Sequence, residues 1–184
     1  MLPRRALLLS LLPAAFAGAG ARAQAGRASP PEVAAELPQA RLHCEGRMRF
    51  LMMSICDARL WTLPGFKAEA ALDAPLALEL EYARTLYGAL IADRSLTEMQ
   101  RVARVSEADG ARWLAQMKSI FPDVREGDRL TGVQRPGEAT HFYFNGKPRG
   151  VVRDAAFTQA FFSIWLSPRT ADPALREQLI GHRG

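Results

Sequence analysis

The segment Phe121–Gly181, FPDVREGDRLTGVQRPGEATHFYFNGKPRGVVRDAAFTQAFFSIWLSPRTADPALREQLIG, holds the densest structural punctuation in the chain. Gly127-Asp128 turns the chain into a strand at Arg129–Arg135, and Pro136-Gly137-Glu138 turns it out again. His141-Phe142-Tyr143-Phe144 has strand composition, and Asn145-Gly146 is a type I′ hairpin signal, because both residues tolerate positive φ. Asp154 stands where a helix N-cap belongs, ahead of Phe157, Phe161, Ile164 and Trp165 on one apolar face. Asp172 caps a last helix with Pro173 in its first position and Gly181 just past its end. The order is strand, turn, strand, turn, strand, then two capped helices.

Working backwards, Ser106 to Phe121 carries Ala111, Leu114, Met117 and Ile120 at helical spacing and stops at Pro122. Ser95-Leu96-Thr97-Glu98 matches a capping box, which places a helix start at Ser95, running on through Met99 and Val102. Leu76–Tyr82 alternates at period two, as a strand does, and Pro64-Gly65 is a turn. Arg41–Trp61 is a strand pair, or one long strand bent near Glu45-Gly46. After Phe50 it is apolar on both parities, the pattern of a strand buried on both faces, until Asp57–Trp61 alternates again. Strands interleaved with helix pairs predict an α+β domain, a mainly antiparallel sheet covered on one face by helices.

The N-terminus reads as a secretory signal over residues 1–23. Arg4 and Arg5 precede the apolar run Ala6–Phe16, and Ala21-Arg22-Ala23 is an A-x-A cleavage site. The run is shorter than the roughly 20 residues of a membrane span. The expectation is an exported, periplasmic protein with no integral span after cleavage near Ala23. Residues 24–40, with three prolines, read as a linker with a short helical turn at 31–37, and residues 41–184 as the single folded domain. The net charge of +5 belongs partly to the signal. Without Arg4, Arg5 and Arg22, 24 basic residues become 21 against 19 acidic ones, net +2. A nucleic-acid partner needs a concentrated basic stripe, and none is present.

Catalytic and cofactor signatures are missing. There is no nucleophile elbow, no H-E-x-x-H, no paired C-x-x-C and no phosphate loop. His43, His141 and His182 are dispersed, so neither a metal site nor another cofactor is expected. Cys44 and Cys56 are expected as two buried free thiols, since a turn near residue 45 would pair Cys44 well short of Cys56. Two features point to a ligand. Arg47 or Arg49, at the start of an apolar strand, would hold a carboxylate bidentately at a pocket mouth. Thr158 places a hydroxyl among Phe157, Phe161 and Phe162, where it either orients a polar ligand group or back-bonds within its helix.

Four motifs carry a resemblance: DARLW at 57–61, FPDVREGDRLTGV at 121–133, FYFNGKPRG at 142–150 and AFTQAFFSIWLSPRT at 156–170. Through them the chain resembles the chalcone isomerase-like family, in its bacterial exported branch, over roughly residues 41–181. The resemblance implies an open-faced β-sandwich, a large antiparallel sheet under a layer of helices with a ligand cleft between. The plant enzymes of that family close a flavanone ring with a cleft arginine, a strand threonine, and a tyrosine and asparagine from the helical region. Carried over by local motif, the late Ser/Thr lands on Thr158 and the arginine on Arg47 or Arg49. The strand threonine falls at Cys56, the tyrosine at Ile91 and the asparagine at Glu98, three departures from the catalytic pattern. Acid–base help of the missing kind contributes on the order of 10²–10⁴-fold. The resemblance therefore implies a binder of a small hydrophobic carboxylate such as a fatty acid, with an intramolecular lyase on a small substrate as the alternative.

Overall fold

The computed structural model describes residues 27–181; the expected signal segment lies outside them. Six strands form one meander in sequence order, every neighbouring pair antiparallel: β1 (Arg41–Phe50), β2 (Met53–Thr62), β3 (Leu76–Tyr82), β4 (Arg129–Arg135), β5 (Ala139–Phe144) and β6 (Lys147–Val152). Four helices, α2 (Gly88–Val102), α3 (Glu107–Ile120), α4 (Ala155–Leu166) and α5 (Pro173–Ile180), pack into the main core against one face of the sheet. The C-terminal third follows its punctuation closely. Asn145 and Gly146 both take positive φ, at 49° and 81°. Asp154 Oδ1 accepts the N–H groups of Ala156 and Phe157, and Asp172 Oδ1 that of Leu175. Gly181 ends α5 in the left-handed region.

Strand alternation sorts the sheet into two faces. Leu60, Leu78, Leu80, Leu130 and Phe142 point to the helices and join one core. Trp61, Ala77 and Val133 point the other way and meet Val33, Leu37 and Ala40. That second cluster corrects the linker expectation. A short helix α1 (Pro31–Glu36) is part of the packed structure, with Glu32 and Val33 buried. It shields a charged layer on the sheet. Buried Glu79 receives Arg59, its cross-strand partner, at 3.1 Å, Trp61 Nε1 at 2.8 Å and Arg129 at 3.3 Å. Three donors satisfy a carboxylate that burial alone would make costly. Glu36 anchors the end of α1, accepting from Arg135 at 2.5 Å and from Tyr143, and meeting His141 Nδ1 at 2.9 Å.

Four expectations upstream are overturned. The turn of the first hairpin is Leu51-Met52, not Glu45-Gly46, since Phe50 pairs with Met53 and Met48 with Cys56. Both turn residues take positive φ without glycine, at 47° and 68°. The apolar run after Phe50 is accordingly not a strand buried on both faces. Its first members form an exposed tip, and a register shift between Met48 and Arg49 leaves Ile55 as an extra residue opposite them. Cys44 stands opposite Leu60, far along the sheet from Cys56; both thiols are free, Cys56 buried and Cys44 only half-buried. Helix α2 begins at Gly88, seven residues before the capping box. Ser95 lies inside the helix and donates to the Ile91 carbonyl at 2.8 Å, the back-bond of a mid-helix serine. The start of α2 is capped from elsewhere: Asp123 accepts the Gly88 N–H at 2.8 Å. Gly88 must be glycine because a Cβ there would lie 2.2 Å from the Phe121 carbonyl oxygen.

Candidate functional site

A cavity of about 330 Å³ lies between the sheet and the helix layer. Its floor is the helix-facing side of β1 to β4, with Met48, Phe50, Ile55, Cys56, Leu80, Tyr82 and Leu130. The bulge at Ile55 explains how two consecutive residues, Ile55 and Cys56, face the same space. One wall is α2, whose Leu90, Ile91, Arg94, Ser95 and Glu98 share a face at i, i+1, i+4, i+5 and i+8. The opposite wall is Phe161, Ile164 and Trp165 of α4 with Leu175 of α5. Phe161 belongs to a tight aromatic cluster, stacked on Phe157 and edge-on to Phe142 and Phe162, which makes that wall rigid.

Most polar groups at the cavity are already committed. Ser95 donates to its own helix, Thr170 Oγ1 donates to the Ile164 carbonyl at 2.6 Å, and Asp172 caps α5. Burial pushes the Cys56 thiol up to about 12, with the Asp57 charge adding to it, so the sulfur stays protonated. Burial also raises the Tyr82 phenol. Two nitrogen donors remain for a ligand. The buried Trp165 indole N–H has no partner among the described residues. Arg94, with its side chain 54% exposed, stands at the mouth, 2.6 Å from Glu98 Oε1 and over the Phe50 ring. Arg101 holds the other Glu98 oxygen at 3.1 Å, so one carboxylate is shared between two guanidiniums.

Three of the six candidate residues from the sequence, Cys56, Ile91 and Glu98, come together as cavity lining. The other three do not. Arg47 and Arg49 alternate with Met48 and Phe50 and so occupy the opposite face of β1. Arg47 is exposed and forms a bidentate pair with Asp57 at 2.6 and 3.1 Å, which lowers the Asp57 carboxyl and raises the guanidinium. Thr158 is buried between α4 and the sheet, accepting from Thr140 Oγ1 at 2.9 Å and donating to the Asp154 carbonyl at 3.0 Å. The first bond ties the helix to the sheet and the second is a back-bond within the helix, so both hydroxyl functions are used. Tyr87, one turn before Ile91, is the exposed N-cap of α2 and does not line the cavity. The cation that does line it, Arg94, was legible as a helical neighbour of Ile91 and Glu98, at i+3 and i−4, once α2 is started at Gly88.

Fold and cavity together define a class: an open antiparallel sheet under a helix layer, with a ligand-sized apolar cleft between them. A family model for chalcone isomerase-like proteins matches residues 65–181, and the chain belongs to that family. The fold is similar to the crystal structure of an Arabidopsis thaliana fatty-acid binding protein, with a TM-score of 0.63 over 77% of this chain and 87% of that one, at 12% identity. An uncharacterised protein of Haemophilus influenzae is 30% identical over 109 residues, 59% of this chain. The chain spans about half the length, 53%, of that curated relative.

Proposed function

We propose that this protein is a non-catalytic binder of a small hydrophobic carboxylate, such as a fatty acid, acting in the exported compartment that its N-terminal segment predicts. The observation that carries this reading is the cavity itself. Its volume of about 330 Å³ falls at the lower end of ligand pockets, its lining is almost wholly apolar, and one cation, Arg94, stands at its rim. The apolar tail lies against Met48, Ile55, Ile91 and Leu130, and the carboxylate is received at Arg94 and the Trp165 N–H. Each buried methylene contributes about 0.8 kcal/mol, so a chain of about eight carbons supplies most of a micromolar affinity. The fold similarity to a plant fatty-acid binding protein supports the same reading.

Ile91 and Glu98, the positions to which the resemblance assigns the plant enzymes' tyrosine and asparagine, stand on the cavity wall, and Glu98 is bound up in ion pairs. A protonated, buried Cys56 offers no base. These features favour binding over ring closure. The test is extraction and mass spectrometry of apolar ligands from protein purified from its native host, with displacement of a fluorescent fatty acid by unlabelled ones. The expected result is a copurifying monocarboxylate and saturable displacement, both lost in Ile91→Trp, which fills the cavity. Absence of saturable binding by any chain length overturns the reading. Cell fractionation tests the export.

A further inference from the structure

The tip of the first hairpin presents four consecutive apolar side chains to solvent. Leu51 is 76% and Met52 96% exposed, and flanking Phe50 and Met53 are each more than two-fifths exposed. Apolar residues of this size are seldom displayed together at the end of a projecting hairpin, and such patches mark interaction surfaces. The tip is also held in an uncommon backbone. Leu51 and Met52 both adopt left-handed φ, a conformation that disfavours side chains with a Cβ by roughly 1–2 kcal/mol per residue. Asparagine or glycine would fit that turn better. The bulky residues present there contribute nothing to the core they point away from.

The charged side chains in contact with the tip are arginines. Arg49 precedes it on the strand and has no ion pair among the described residues. Arg84 reaches over to put Nη1 2.8 Å from Met53 Sδ, and Arg94 covers Phe50. Among the described residues the acid in contact with these groups is Glu98, shared between Arg94 and Arg101. An apolar prow with a collar of guanidiniums has the charge and shape complementarity of an anionic bilayer surface, where apolar side chains enter the acyl boundary and cations stay with phosphates.

We propose that the Leu51-Met52 hairpin docks this protein onto anionic lipid membranes by inserting its tip at the interface. The docking stands on the surface alone, whatever the cavity holds. One consequence rests on the proposed function: Phe50 belongs to both tip and cavity lining, so a docked protein faces its cavity mouth toward acyl chains.

The full chain is mixed with vesicles of phosphatidylcholine alone, or of equal parts phosphatidylcholine and phosphatidylglycerol. Binding is read by sedimentation, and its location by hydrogen exchange resolved to residues 49–54. Expected are slowed exchange at the tip on the anionic vesicles only, and weaker binding at high salt. Leu51→Asp with Met52→Asp removes that protection and lowers the tip-dependent partition by at least about tenfold. Arg49→Glu and Arg84→Glu each lower it roughly fivefold. Leu51, Met52 and Arg49 are exposed and Arg84 is half-buried at the surface, and circular dichroism checks that each variant keeps the wild-type fold. Unchanged exchange at residues 49–54 on anionic vesicles overturns the inference, even where another segment of the chain binds. So does tip protection that rises with protein concentration and needs no lipid, which assigns the tip to a second copy of the chain. Loss of fatty-acid displacement with vesicle docking intact sinks the ligand reading and leaves this one standing.

Discussion

Arg94 lies over the Phe50 ring, 5.7 Å from its centroid, so the cation nearest the cavity mouth is braced by an aromatic from a different layer. A guanidinium held this way keeps its fork pointed at the rim, where planar recognition of a carboxylate needs it. Arg94→Gln is expected to weaken fatty-acid affinity by about five- to tenfold, the range of a partly exposed charged hydrogen bond. The double variant Arg47→Ala/Arg49→Ala, on the far face of β1, is expected to leave affinity unchanged. A fluorescence displacement titration decides between them, and the reverse ranking would return the carboxylate site to the strand arginines.

Thr158 holds α4 to β5 through Thr140. Thr158→Val keeps the volume but strands the Thr140 hydroxyl in a buried site. The expected loss is about 1–2 kcal/mol, seen as a fall in Tm of several degrees, with ligand affinity unaltered. An affinity loss without a stability loss would contradict this structural role.

Low pH should release α1. Burial raises the Glu36 carboxyl, but hydrogen bonds from Tyr143, His141 and Arg135 outweigh it and bring the value from 4.5 to about 2. A depressed carboxyl contributes stability that is complete above its unfolded value and lost as pH falls toward the folded one. The window is therefore about pH 4.5 down to 2, and the contribution is at most about 3 kcal/mol. Denaturant titrations across that window should show a steeper decline for the wild type than for Glu36→Gln. Parallel declines would mean that other carboxylates control the acid limb.

Cys56 should resist alkylation in the folded protein. With its thiol at about 12, the thiolate is roughly one part in ten thousand at pH 8, and the sulfur is buried as well. Mass spectrometry after iodoacetamide should find half-buried Cys44 labelled first, and Cys56 labelled only with denaturant. Rapid labelling of Cys56 in the native state would mean that the cavity opens far more widely.

Local chemistry carried the C-terminal third: Asn145-Gly146, Asp154, Asp172, Pro173 and Gly181 each act through groups within four residues, and each was legible. What failed was non-local. The cap of α2 is Asp123, 35 positions away, so Ser95 at a capping-box spacing looked like the helix start. The hairpin turn at Leu51-Met52 lacks the glycine or asparagine that announces such turns, so the break was placed at Gly46. That error moved the pairing of β1 and gave no way to tell which side Arg47 and Arg49 face. Of the site, Cys56, Ile91 and Glu98 were reached through the family resemblance, while Arg94 depended on a helix start that no local signal marked. The segment before Arg41 read as a linker with one short helical turn; the turn is there as α1, but its packing was not legible because its burial is supplied by Trp61, Ala77 and Val133, all distant in the chain.

The bond between Thr140 and Thr158 has a consequence for how the molecule adjusts to guests of different length. Helix α4 is riveted to the sheet at that point and wedged by stacked rings beyond it, so the wall it forms is the stiff jaw of a vice. The opposing wall, α2, reaches the hairpin end through Arg94, which lies over the exposed Phe50 ring. A longer guest is then expected to be accommodated at the mouth, where Leu90 of α2 and Phe50 of the hairpin end are exposed, while α4 stays still.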